Sequence, residues 1–74
     1  MKLLEKRIFP HRLRELRKEN KLSQAQLAKA IGVCQSEISL LENGNRRSTA
    51  EVLVKLANYF NTSIDYLIGR TGRR

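Results

Sequence analysis

Apolar residues recur along the chain at intervals of three and four, and turn-forming residues interrupt the recurrence four times, a pattern that predicts five short helices. Leu13 and Leu16 mark the first, which opens at Pro10, because a missing N–H and a fixed φ suit a first helical turn. It closes at Asn20, a residue that tolerates the left-handed conformation at a helix end. The residues before Pro10 read equally as a basic arm or as a mobile segment.

The second helix opens with Ser23-Gln24-Ala25-Gln26, where a Ser and a Gln three apart can cap the free N–H groups of the first turn reciprocally. Leu27, Ala28 and Ile31 form its inward stripe, and Gly32 stops it by supplying a positive φ. After only Val33 and Cys34 a third helix starts at Gln35 and runs to Asn43-Gly44, with Ile38 and Leu41 inward. Ser48-Thr49-Ala50-Glu51 repeats the capping pattern for a fourth helix with Val52, Leu53, Leu56, Ala57 and Phe60 at core spacing. Ser63 caps a short fifth helix carrying Asp65 in its first turn and Ile64, Leu67 and Ile68 as apolar surface up to Gly69. The Arg-rich tail beyond it reads as frayed.

Gln24 to Asn43 is the informative stretch: two short helices joined by a very tight turn. Ala28 is small enough to let two helix backbones approach, Gly32 makes the turn, and Val33 and Ile38 fill the wedge between them. A helix held rigidly outward in this way suits insertion into a nucleic-acid groove.

Charge sharpens that expectation. The chain of 74 residues carries 15 Lys and Arg against 7 Asp and Glu, a formal charge of +8. The cations bunch within Lys2 to Lys21, at Arg46 and Arg47, and from Arg70 to Arg74, as expected for a partner rich in anions. Seventy-four residues give room for one core, which excludes a catalytic cleft between domains. A single cysteine cannot form an internal disulfide, and neither a signal-peptide pattern nor a long apolar run is present, so a cytoplasmic location is expected.

The chain resembles the Xre family of helix-turn-helix regulators, which includes the lambdoid phage repressor and Cro domains. The resemblance runs from about Phe9 to Arg70 by eye. It is carried by Leu13-Arg14-Glu15-Leu16-Arg17, Leu22-Ser23-Gln24, Leu27-Ala28, Ile31-Gly32-Val33, Ile38-Ser39, Leu41-Glu42-Asn43-Gly44, Leu56-Ala57 and Ser63-Ile64-Asp65-Tyr66-Leu67. It implies an all-α fold, a compact five-helix bundle of the lambda-repressor-like type, with residues 9–69 as the DNA-binding domain between a basic N-terminal extension (1–8) and a basic C-terminal tail (70–74). It implies a sequence-specific regulator of transcription, a repressor, that binds double-stranded DNA as a homodimer.

Residue by residue, the resemblance puts Gln24 against a phosphate and Gln35, Ser36 and Leu40 on the groove-facing side of the third helix. Helical spacing agrees, since Ser36, Ser39, Leu40 and Asn43 fall opposite Ile38 and Leu41. Gln can bond adenine N6 and N7, Ser several base edges, and an exposed Leu a thymine methyl; Leu40 reads alternatively as core beside Leu41. Glu37 must accept a hydrogen bond from cytosine N4 or pair with a neighbouring cation, because a bare carboxylate repels phosphates. Arg46 and Arg47 can grip phosphates beside the groove, or belong to an ordinary solvated loop. Arg17 and Glu42 look like the family's internal ion pair. Leu67 and Ile68 of the fifth helix are the expected dimer surface.

Enzyme chemistry finds no support, and no catalytic residue or cofactor is expected. His11 has no second His or Cys at ligand spacing, so no metal site is expected, and no nucleophile–base pair is visible. Cys34 at a helix start could act as a redox switch, though a small half-buried residue accounts for it as well. The rival functions are an antitoxin-like module that covers a protein partner and binds DNA secondarily, and a basic membrane binder. The membrane reading fits poorly because the apolar stripes are divided among short capped helices.

Overall fold

The computed structural model describes residues 2–73, with side chains from Ile8 onward. Five helices follow in order: α1 (Lys2–Glu19), α2 (Gln24–Ile31), α3 (Gln35–Glu42), α4 (Ala50–Phe60) and α5 (Ile64–Leu67). α3 packs on α2 and α1, α4 on α5 and α2, and α1 closes the bundle against α5. The core between them is aliphatic, with Leu13, Leu27, Ile38, Leu41, Leu56 and Leu67 wholly enclosed and Phe9 and Tyr66 nearly so. Each such side chain contributes about 1.5–3 kcal/mol by leaving water.

The helices start and stop for local reasons. Ser23 Oγ accepts the Gln26 N–H at 3.0 Å while the Gln26 side chain accepts the Ser23 N–H at 2.8 Å, the reciprocal cap read from the sequence. Ser63 caps α5 through the Tyr66 N–H at 3.0 Å. At their other ends all five helices close alike. A left-handed residue (Lys21, Gly32, Gly44, Asn61, Gly69) sits just past each. The N–H of the next residue reaches back five positions to a carbonyl, as Leu22 does to Arg17 and Thr62 to Ala57.

Several boundaries differ from the sequence reading. α1 begins at Lys2, and Pro10 lies inside it with its ring buried. A proline inside a helix removes one intrahelical bond and crowds the carbonyl four residues back, and the burial of Pro10 supplies apolar area against that cost. Lys21, not Asn20, takes the left-handed conformation, and the Asn20 amide instead caps the Leu16 carbonyl at 2.8 Å. Thr49 rather than Ser48 caps α4, accepting the Val52 N–H at 3.2 Å. Of the two residues expected at a dimer surface, Leu67 is 0% exposed and belongs to the core, while Ile68 is half-buried. The tail is anchored as far as Thr71, whose carbonyl accepts a hydrogen bond from Arg12 at 2.7 Å.

Candidate nucleic-acid interface

The α2–α3 unit is built on three small accommodations. Ala28 is buried where α2 meets α3, and Ile38 fills the wedge completely, with Val33 packed at its edge. Gly32 turns the chain at φ +80°, and a Cβ there would meet nothing within 4 Å. Its requirement is therefore conformational and not spatial. Cys34 then starts α3 in an extended conformation, exposed and without a side-chain capping bond.

With Ile38, Leu41 and Glu42 turned into the bundle, the turn angle of a helix places Ser36, Leu40 and Asn43 on the opposite arc and Glu37 and Ser39 on its flanks. Gln35, Ser36 and Asn43 are exposed, and Ser39 and Leu40 are half-buried. Leu40 thus keeps part of its side chain in water while the rest rests on the bundle. Glu37 meets the loop after α3, where Arg46 Nη1 lies 2.6 Å from its Oε1. Arg47, next along, is exposed. Gln24, at the start of α2, donates through its amide to Glu42 Oε1 at 3.2 Å.

That last bond joins a charge network at the centre of the unit. Glu42 is 3% exposed, and its carboxylate takes both sides of the Arg17 fork, Nε at 2.6 Å and Nη2 at 3.0 Å. Arg17 Nη1 reaches the Leu22 carbonyl at 2.8 Å, and Arg14 donates to the Glu42 carbonyl at 3.1 Å. α1, the α1–α2 turn, α2 and the end of α3 are therefore tied at one point. Burial pushes the Glu42 carboxyl up, but hydrogen bonds from Arg17 and Gln24 and the charges of Arg17 and Arg14 outweigh it and hold the group below the usual carboxylate range. The Glu42 hydrogen bond likewise raises Arg17 against the opposing effect of burial.

Two of these contacts escape sequence reasoning, and for a third, the cation expected beside Glu37, the sequence does not say which residue supplies it. The Gln24–Glu42 bond spans 18 positions and the Glu37–Arg46 pair nine. Only the opposite charges at 37 and 46 hint at the second. Arg12, taken from the sequence as one cation among many, lies over the Tyr66 ring at 4.1 Å and donates to the Tyr66 and Thr71 carbonyls. His11 is exposed, 3.6 Å from Glu15, and among the described residues no group of three His, Cys, Asp or Glu side chains could hold a metal ion. No described helix is long and apolar enough to cross a membrane.

A short helix braced by its predecessor through a tight glycine turn, with its polar side outward, is a helix-turn-helix, the element by which many regulators of transcription read DNA. A family model described as helix-turn-helix matches residues 13–67, and the chain belongs to that family, of the Cro/C1 type; these are DNA-binding transcription regulators, not enzymes. It is 38% identical over 64 residues to the HTH-type transcriptional regulator YobD of Bacillus subtilis, covering 86% of this chain and 57% of that protein. It is 41% identical over 59 residues to the cryptic phage CTXphi transcriptional repressor RstR of Vibrio cholerae, covering 80% of this chain and 53% of that one. The chain thus spans about half the length of these relatives. Among solved structures it is similar to the restriction-modification controller protein C.AhdI from Aeromonas hydrophila, with a TM-score of 0.76 and 34% identity, covering 90% of this chain and 98% of that one.

Proposed function

We propose that the chain regulates transcription, as a repressor, by binding double-stranded DNA with α3 in the major groove. The observation that carries this reading is the exposed polar start of α3, Gln35 and Ser36, propped outward by α2 on a chain of charge +8. Gln35 and Ser36 read base edges, with Ser39, Leu40 and Asn43 along the same side. Gln24 and Arg47 hold phosphates. The Gln24 amide nitrogen carries two hydrogens, and with one donated to Glu42 the other is left to donate to a phosphate oxygen. Two copies bound to an inverted repeat place their α3 helices one DNA turn apart, roughly 34 Å, so that modest half-site affinities combine. The likeness to a phage repressor favours repression over activation.

Selection of bound fragments from a random duplex library tests the reading. The wild type should enrich one inverted-repeat sequence, and Gln35→Ala should relax preference at one position of each half-site by about 1–3 kcal/mol. Gln24→Ala should weaken all duplexes nearly alike. A wild type that enriches nothing, but recovers a stoichiometric protein partner from its host, would favour an interaction module instead.

A further inference from the structure

Arg46 lies in the loop beyond α3, yet its guanidinium is bonded to Glu37 in the first turn of that helix. α3 is about 12 Å long at eight residues. The pair therefore carries a loop cation back along the helix to the end that enters the groove.

Stability does not explain the arrangement. The Glu37 side chain is 20% exposed but that of Arg46 is 52%, and a pair with one partner so open to solvent adds little to folding while it costs side-chain entropy to hold a long arginine in one place. Gripping a phosphate does not explain it either. A cation needs no buttress to meet a phosphate, and a carboxylate beside it cancels the charge on which that grip depends. What the carboxylate leaves intact is direction. The bond runs from Nη1 to Oε1, so the edge of the planar fork formed by Nε and Nη2 is not committed to Glu37. Two parallel donors on such an edge match O6 and N7 of guanine in the major groove.

We infer that Arg46 reads a guanine and that Glu37 is the positioning residue that aims it. This rests on the docking of α3 proposed above. It also accounts for an acidic side chain on a surface that meets phosphates, since Glu37 reaches the DNA only as half of a neutral pair. Arg46 and Arg47, adjacent in the loop, then do different work: the first contributes sequence choice and the second affinity.

The test is selection from the same random duplex library with wild type, Gln35→Ala, Arg46→Ala and Glu37→Gln, followed by affinities on the enriched and on a scrambled duplex. Arg46→Ala and Glu37→Gln should lose the same G·C pair in each half-site, at a position other than the one relaxed by Gln35→Ala. Each should lower the ratio of specific to scrambled binding by roughly tenfold. Glu37→Gln should in addition bind the scrambled duplex more tightly, because it sheds a negative charge. If Arg46→Ala weakens both duplexes equally and keeps the enriched sequence, Arg46 is a phosphate contact and the inference fails. It fails too if Glu37→Gln enriches the wild-type sequence unchanged. Both outcomes leave the docking of α3 standing, provided Gln35→Ala shifts the preference; a wild type without any preference removes docking and inference together. Circular dichroism checks that the variants fold, and Arg46→Ala, which touches nothing buried, decides the question by itself if Glu37→Gln does not.

Discussion

Glu42 shows how much one side chain can hold when its surroundings are complete. Its carboxylate is sealed from water but receives donors from Arg17 and Gln24, with Arg14 beside it, so the burial cost is met by partners placed at hydrogen-bond distance. Arg17→Ala strands that carboxylate and should cost on the order of 3 kcal/mol, measurable as a lower urea midpoint with an unchanged m-value. The pH dependence follows in sign from the depressed Glu42 pKa. The group contributes its full stability above its unfolded pKa, near the ordinary 4.5, and loses it as pH falls through the lower folded value. Urea titrations between neutral and acid pH should therefore show stability declining from about pH 5 downward, and Glu42→Gln should flatten that decline while being less stable at neutral pH. At this scale the sequence is least informative. Arg17 and Glu42 were legible only through a family resemblance, because 25 positions separate them and no periodicity links them. For Arg46 the letters show a cation able to grip a phosphate but not that its guanidinium is turned toward Glu37.

Helix endings, by contrast, are written in neighbouring residues and were largely readable. The reciprocal cap of Ser23 and Gln26 depends on two residues three apart and on nothing distant. Ser23→Ala should accordingly destabilise the protein by about 1 kcal/mol in thermal or denaturant unfolding without changing what the DNA surface selects. Where the reading slipped, a competing bond decided. Asn20 looked like the residue to turn left-handed, but its amide is used on the Leu16 carbonyl and the turn passes to Lys21. Pro10 looked like a beginning because its chemistry suits one, and only the burial of the ring, a tertiary fact, makes it an interior residue. Gly69 is a stricter case. It has φ +88°, and a Cβ there would stand 2.9 Å from two atoms of Ile8, so Gly69→Ala meets strain and collision together. It should destabilise by more than the roughly 1 kcal/mol expected from backbone conformation alone, and Ile8→Ala should recover part of the loss in a double-mutant cycle.

For the molecule as a whole, the charge of +8 sets how binding responds to its medium. If about five phosphates are met per half-site, affinity should fall with added salt at a log–log slope on the order of −4 to −6, and Arg47→Ala should reduce that slope by about one. Fluorescence anisotropy across a salt series measures both; a slope near zero would leave the basic surface without a polyanion to explain it. The five helices and the pairing of α2 with α3 were legible beforehand from spacing and turn residues, and their assembly into this bundle from the family resemblance. Leu67, expected at a surface between copies, was misread, because it is apolar at the right spacing yet wholly consumed by the core. Arg12 adds a consequence at this largest scale. Its guanidinium is wedged over the Tyr66 ring and bridges to the Thr71 carbonyl, so α1, α5 and the tail share a single fastening. A polypeptide or label joined after Arg74 would leave the bundle a few residues beyond that fastening, and a pull on it would load Tyr66 and α1 before the tight turn at Gly32.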